Sequence, residues 1–251
     1  MGPTSPETTT PRTITTLASR VTEIPYSREI TVKTENVGMQ QWGEMLDRMD
    51  NEGKEMAMDV FRNVFTGSFA TGSIVEYDER GYEHKHDKPI RASEIGGLKS
   101  FTHDPVVSLH THPLSGDEAH IKTSIPSGND IRTFLSSMHS ALVIVDRGGS
   151  HLLVRTREFH PRNPESFESV LRKGSKRRPL QHASKPDWPD EEDLPPDDLM
   201  KKKIKEIAAR GGVVADVQKE LNGMIAQYGL RYFYTEQLTP NEDGTITFKT
   251  P

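Results

Sequence analysis

Two histidines separated by a single residue, with an acidic residue further along the chain, form the part of this sequence best suited to chemistry. His110 and His112 end a short apolar run and are followed directly by Pro113. Because residues i and i+2 of a strand point to the same face, the two imidazoles can reach one point. Asp130 lies at the start of the next amphipathic stretch. Two imidazole nitrogens and one carboxylate are the ligand set of a catalytic zinc that keeps one position open.

A strand and a helix are the elements that must position these residues. The apolar residues 106–109 predict a strand, and Pro113 ends it because proline cannot continue a strand ladder. Ser127 is typical of a helix N-cap, and apolar residues recur at helical spacing after it. Asp130 then falls in the first helical turn, where the helix dipole favours a carboxylate.

The composite pattern resembles the signature of the JAMM/MPN+ zinc metalloproteases, which is an upstream Glu, then His-x-His-Pro, then Ser-x-x-Asp. Four residues coincide with it: His110, His112, Ser127 and Asp130. The resemblance implies a Zn2+ ion held by His110, His112 and Asp130. It also implies that Ser127 helps to stabilise a tetrahedral intermediate. The chain departs from the family in the segment 113–126, which is about twice the usual length, and a loop insertion costs little stability.

The family's general base is a Glu at the start of the strand that follows the first helix. Residues 54–66 are ambiguous here, because some apolar residues alternate as in a strand and others recur as in a helix. Glu55 is the nearest acid after the helix and before an apolar run, so we expect Glu55 to be the catalytic base. Glu52 and Asp59 are the alternatives.

The resemblance implies an enzyme, a zinc metallopeptidase that hydrolyses a peptide or isopeptide bond. Its substrate would be a protein or peptide, for example one that carries a ubiquitin-like modifier. One alternative is a catalytically inactive MPN-type scaffold that binds partners through its surface, and another is a metal hydrolase that acts on a small non-peptide amide. The retained His-x-His and Ser-x-x-Asp favour the enzyme, whereas the poorly defined Glu favours the scaffold.

The composition excludes several other classes of protein. The chain has 251 residues, with 32 basic and 37 acidic residues and a net charge of -5, which favours no nucleic-acid partner. It contains no Cys, so it has no disulfide, no thiol nucleophile and no Cys-based zinc site. No apolar run approaches the roughly 18 residues of a membrane span, and residues 1–16 contain no apolar segment typical of a secretory signal. We therefore expect a cytoplasmic protein with no membrane partner, and the sequence does not indicate its oligomeric state.

The predicted fold class is α/β, with a mixed β-sheet flanked by helices as in JAMM/MPN proteins and cytidine deaminases. Residues 1–25 are rich in Thr, Pro and Ser and predict a disordered tail. The resemblance implies a JAMM/MPN-like metal-binding catalytic domain over residues 26–160, and residues 161–197 predict a Pro-rich charged linker. Residues 198–251 predict a C-terminal α+β extension of helices and a hairpin, which either forms an appendage or docks on the catalytic domain.

Local patterns predict the remaining elements. Residues 29–34 and 69–77 each predict a strand. Asn36 is a candidate N-cap for a helix that Gly53 interrupts or ends. The most apolar run, residues 141–145, predicts a buried central strand.

A second His-x-His pair, His84 and His86, has charged flanks and no Ser-x-x-Asp after it. We expect it to lie on a polar hairpin surface rather than at a metal site.

Overall fold

A computed structural model of the chain describes residues 13–14, 28–77, 103–113, 125–137, 139–156, 197–226 and 228–251. The second His-x-His pair, most of the predicted tail, nearly all of the predicted linker and most of the segment 113–126 lie outside these residues.

The described residues contain ten strands and four α-helices. In chain order these are β1 Thr13–Ile14, β2 Glu29–Lys33, α1 Trp42–Glu52, β3 Glu55–Asn63, β4 Phe69–Thr71, β5 Val75–Tyr77, β6 His103–Thr111, α2 Gly128–Ser136, β7 Ala141–Asp146, β8 Gly149–Arg155, α3 Asp197–Ala209, α4 Val214–Ala226, β9 Leu230–Thr235 and β10 Thr245–Lys249. Two short 3-10 helices, Thr34–Val37 and Met39–Gln41, precede α1.

All ten described strands belong to one mixed sheet, in the order β1-β2-β10-β9-β8-β7-β6-β3-β4, with β5 also paired to β3. The pairs β6–β7 and β1–β2 are parallel, and the other pairs are antiparallel. The strands near the C-terminus, β9 and β10, lie inside this sheet between β8 and β2. The α/β class predicted from the sequence is therefore confirmed.

Successive side chains of each strand point to opposite faces of the sheet, so the buried core has two parts, one on each face. On one face, α1 packs against side chains that include Met56, Met58 and Val143. On the other face, α2, α3 and α4 pack against side chains that include Leu142 and Ile144. The sheet is thus covered on both faces, which explains why the central strand β7 is buried along its whole length, as predicted from its apolar run.

The ambiguous stretch after α1 is a strand. Gly53 ends α1 in the left-handed conformation (φ 65°), which glycine adopts without steric cost, and β3 begins two residues later at Glu55. The alternating residues Met56, Met58 and Val60 are buried. Pairing on both edges of β3 therefore overrides the weak helical spacing.

The predictions of one strand over residues 69–77 and of a helix N-cap at Asn36 were wrong, and two residues of the predicted disordered tail form a strand. Residues 69–77 form two short strands, which pair with different parts of β3: β4 with residues 60–62 and β5 with residues 55–57. Asn36 does not cap α1 but lies buried within the first 3-10 helix. Thr13 and Ile14, in the segment expected to be disordered, pair in parallel with β2.

None of the helices that the structure describes combines the length and the apolar character needed to cross a membrane. The cytoplasmic location stays a prediction from the sequence.

Candidate metal centre

His110 and His112 project from one face of the sheet at the carboxyl end of β6. His110 pairs with Ile144 of β7, whose side chain lies in the core beneath α2, so His110 faces the same helix. The backbone N–H of His112 donates to the carbonyl of Val145 (3.0 Å), which continues the β6–β7 pairing past the end of the strand. The Nε2 atoms of the two rings are 3.0 Å apart. The strand thus brings the two imidazoles together as their spacing predicted.

Asp130 reaches the same point from the first turn of α2. Ser127 is the N-cap of this helix: its Oγ accepts the backbone N–H of Asp130 (3.1 Å). In return, the backbone N–H and the hydroxyl of Ser127 both donate to Oδ2 of Asp130, each at 2.7 Å. This reciprocal capping box holds the carboxylate in one orientation. The N-cap and first-turn positions predicted for these two residues are confirmed.

Three donor atoms converge at this place. His110 Nε2 lies 3.1 Å from Oδ1 of Asp130, and His112 Nε2 lies 3.4 Å from Oδ2. These two distances end on different oxygens of Asp130; with one ligand atom taken from each residue, the three atoms lie within 4.8 Å of one another, so one metal ion can contact all three. The side chains of His110 and Asp130 are each 6% exposed, whereas that of His112 is 14% exposed. The group can therefore hold a metal ion whose accessible side is next to His112.

The electrostatics of the group favour a positive charge at its centre. Burial opposes protonation of His110, yet the carboxylate of Asp130, with a smaller effect from Glu55, raises the pKa of His110 above its usual value. Burial also opposes ionisation of Asp130, but His110, His112 and the Ser127 hydroxyl lower its pKa well below the usual range. The lowered pKa of Asp130 keeps this carboxylate ionised, and a buried carboxylate beside two imidazoles is a donor set that fits a divalent metal ion.

Glu55 lies beside this group. Ala57 of β3 pairs with His110, and extension of that antiparallel register by two residues places Glu55 opposite His112. Residues two apart on a strand share a face, so Glu55 and Ala57 face the same side as the histidines. The effect of Glu55 on the pKa of His110 agrees with this placement.

The two alternative acids lie elsewhere. Glu52 is exposed at the end of α1 and forms an ion pair with Arg48 (3.2 Å). Asp59 is on the same face of β3 as Glu55, but it lies two residues beyond Ala57 and its Oδ1 is 3.2 Å from Nε2 of His139. Of the three acids, Glu55 is the one that the β3–β6 register brings opposite a proposed ligand.

A second buried polar network lies on the same face, and the sequence did not predict it. Asp146 Oδ2 is 3.1 Å from Nε2 of His151, and Nδ1 of His151 is 2.7 Å from the hydroxyl of Tyr232. The only sequence signal was the placement of Asp146 and His151 on either side of a Gly-Gly hairpin. Tyr232 follows 81 residues after His151 and could not be connected to it from spacing.

The chain was also compared with protein-family models, with curated proteins and with solved structures, and it matches none of them. The chemistry of the site therefore has to be inferred from its own residues.

Proposed function

We propose that this protein is a zinc-dependent metallopeptidase of the JAMM/MPN+ type that hydrolyses a peptide or isopeptide bond in a protein or peptide substrate. The observation that carries the proposal is the convergence of His110, His112 and Asp130, with Glu55 near enough for its charge to raise the pKa of His110. The mixed α/β fold supports the same architecture, since the ligands come from a strand end and from the helix that follows it.

Zinc is the metal that the ligand set favours. Two imidazole nitrogens and one carboxylate are typical of catalytic zinc, whereas Ca2+ and Mg2+ prefer shells made of six or more oxygen ligands. When bound, the ion would lower the pKa of water to about 7 and polarise the scissile carbonyl.

The side chains around the ion would move the protons. The carboxylate of Glu55 would take a proton from the attacking water and deliver it to the nitrogen of the leaving amine. This assignment rests on the position of Glu55, because a base must lie within one water of the group that it deprotonates.

Ser127 would serve two purposes. Its hydroxyl and its backbone N–H both donate to Asp130, so they hold the carboxylate in place for the ion. The hydroxyl can turn toward a developing oxyanion while the N–H still holds Asp130. A donor of this kind contributes up to roughly 3 kcal/mol to the stabilisation of a transition state.

The test combines metal analysis with cleavage assays. The purified protein is stripped with a chelator, reloaded with Zn2+ and incubated with peptide-linked and isopeptide-linked fusions of ubiquitin-like modifiers. We expect one zinc ion per chain and cleavage by the wild-type protein. Glu55→Gln should bind zinc but lose most of its turnover, whereas the matched variants Glu52→Gln and Asp59→Asn should retain turnover.

One result would correct the assignment of the base, and another would overturn the proposal. Wild-type turnover by Glu55→Gln would remove Glu55 as the base. Absence of both zinc binding and cleavage, with a stable protein partner recovered, would instead favour a scaffold without catalytic activity.

A further inference from the structure

Thr111 stands between the two proposed histidine ligands and faces the opposite side of the sheet. Its side chain is completely buried. Because neighbouring residues of a strand point to opposite faces, Thr111 is directed away from the metal centre and toward the face covered by α1. It is therefore not a candidate ligand, and a strand-forming, buried threonine at this position has an ordinary packing role.

The hydroxyl of Thr111 has a specific partner. The backbone N–H of Met56 donates to Thr111 Oγ1 at 2.9 Å, and this bond is buried. Ala57 and His110 are the last paired residues at this end of the β3–β6 ladder. The threonine side chain thus continues the attachment of β3 to β6 one residue past the ladder.

Met56 directly follows Glu55, so this bond fixes the backbone next to the proposed base. The backbone of Thr111 itself pairs with Val145 of the central strand β7, which makes it a rigid anchor. On its other edge, the start of β3 pairs with the three-residue strand β5. Thr111 therefore provides a buried side-chain contact between the start of β3 and the strand that carries the histidines.

We propose that Thr111 is a positioning residue, which sets the distance between the Glu55 carboxylate and the ion held by its two neighbours in sequence. This inference rests on the proposed function. Thr111 would then position three residues of the site: His110 and His112 through its own backbone, and Glu55 through Met56. A base displaced by about 1 Å can lower the rate by roughly a hundredfold, so a hydrogen bond at this point affects the reaction without touching the substrate.

Thr111→Val is the informative variant, because valine has nearly the same shape and is also a good strand former, but it cannot accept the Met56 N–H. Thr111→Ser restores the hydroxyl and is the rescue variant. Thr156→Val is the matched control, since the buried hydroxyl of Thr156 donates to the carbonyl of Gly229 (2.9 Å) beyond the far end of β8.

The first two measurements do not depend on turnover. In the metal-free protein, we expect the Met56 amide to exchange with solvent about tenfold faster in Thr111→Val than in wild type, as the loss of one net hydrogen bond implies. In protein loaded with Co2+, the paramagnetic shift of the Glu55 carboxyl carbon should change in Thr111→Val. Both quantities should be as in wild type for Thr111→Ser and Thr156→Val.

The third measurement uses the zinc-loaded protein. Thr111→Val should keep full zinc stoichiometry and KM, lose about tenfold to a hundredfold in kcat, and shift the acidic limb of its pH profile. Thr111→Ser should recover most of kcat. A variant that is merely less stable would keep the wild-type kcat and pH profile once it is folded.

The possible failures can be told apart. A wild-type protein that binds Co2+ but cleaves nothing would contradict the proposed function, while the amide exchange and the Glu55 shift would still decide the role of Thr111. Unchanged exchange at Met56, an unchanged Glu55 shift, or an equal loss of kcat in Thr156→Val would overturn the role of Thr111. A wild-type protein that binds neither Co2+ nor Zn2+ would overturn both.

Discussion

Two buried pairs of histidine and aspartate lie on the same face of this sheet, and their histidines belong to β6 and β8, the strands on either side of β7. In the candidate metal centre, His110 Nε2 is 3.1 Å from Oδ1 of Asp130. In the second network, His151 Nε2 is also 3.1 Å from Oδ2 of Asp146. Residue types, distance and burial are therefore nearly the same in the two pairs, and none of these properties separates a metal site from a structural contact.

The two pairs differ in how their polar atoms are arranged relative to one another. The second network is a linear chain, in which the two ring nitrogens of His151 contact different groups, Asp146 and Tyr232. Asp146 also accepts the backbone N–H of Gly148 through its other oxygen. This chain joins the β7–β8 hairpin to β9. At the metal centre, by contrast, His112 adds a third donor atom at the same point, so the atoms converge instead of following one another.

The difference has a cause in the fold. A linear chain forms easily between neighbouring strands of a sheet, because their side chains lie next to one another on one face. At the metal centre, the third residue comes instead from a helix that packs on this face. The N-terminus of α2 supplies Asp130 from above the sheet, and its capping box orients the carboxylate.

The largest expected effect is the loss of metal from His110→Ala. Removal of a residue that merely orients a ligand commonly lowers metal affinity by about 10–100-fold, so removal of a ligand should exceed that range. The measurement is competition for Zn2+ against a chelator of known affinity. Full zinc stoichiometry and unchanged affinity in His110→Ala would show that the proposed centre is not the metal site.

The control for this loss is His151→Gln in the second network. It removes an imidazole that is equally buried and equally close to an aspartate, so it should still bind one zinc ion with affinity near that of the wild-type protein. An equal loss of zinc in both variants would mean that the two networks act as one site and that our distinction between them is incorrect.

The second effect is on stability and concerns Tyr232→Phe. Burial raises the pKa of Tyr232 well above its usual value, so its hydroxyl stays neutral next to His151. Its removal leaves a buried ring nitrogen without this partner, which should lower the free energy of unfolding by about 1–3 kcal/mol. Urea denaturation measures the change. Wild-type stability together with weaker zinc binding would contradict a structural role for the network.

These results bear on how much of the site the sequence could predict. Spacing alone placed His110 and His112 on one strand face, because strand geometry is local. The helix after Ser127 was equally clear, since its cap and apolar repeat are local as well. Glu55 remained one of three candidates, because its position depends on the β3–β6 register, which is a contact across about fifty residues of chain.

The second network depends on strand pairings that local sequence patterns do not predict. Tyr232 meets His151 only because β9 pairs with β8, and no spacing in the sequence indicates that pairing. The position of β10 between β9 and β2 was also beyond local prediction, because β2 lies more than two hundred residues earlier. Long-range strand order is decided by packing on both faces of the sheet, which single segments do not encode.

A third prediction concerns the pH dependence of the metal-free protein. The pKa of His110 is raised in the folded state, so its stabilising effect is complete below about pH 6.5 and disappears as the pH rises through the folded-state value. The pKa of Asp130 is lowered, so its contribution is present above about pH 3.9 and disappears only in stronger acid. The pair therefore stabilises the metal-free protein most between about pH 4 and pH 6.5.

Urea denaturation at several pH values tests this. The free energy of unfolding of the metal-free protein should decrease between pH 6.5 and pH 8.5, and His110→Gln should reduce that decrease. Zinc affinity should change in the opposite direction, because the ion competes with the proton on His110. A decrease that is the same in His110→Gln and in wild type would assign the effect to other groups.

The smallest effect is expected at the turn of the β7–β8 hairpin, where Arg147 forms ion pairs with Asp47 (2.8 Å) and Asp50 (2.6 Å) of α1. These contacts join α1 to the same hairpin that Asp146 and His151 join to β9, but the Arg147 side chain is 44% exposed. Solvent screens exposed pairs, so Arg147→Ala should lower the free energy of unfolding by only about 0.5 kcal/mol and leave zinc affinity unchanged. Urea denaturation measures the free energy of unfolding, and the chelator assay measures the zinc affinity. A decrease in the free energy of unfolding as large as that of Tyr232→Phe would mean that exposed ion pairs stabilise the hairpin as strongly as the buried network does. The buried network would then not be the main stabilising contact between β7, β8 and β9.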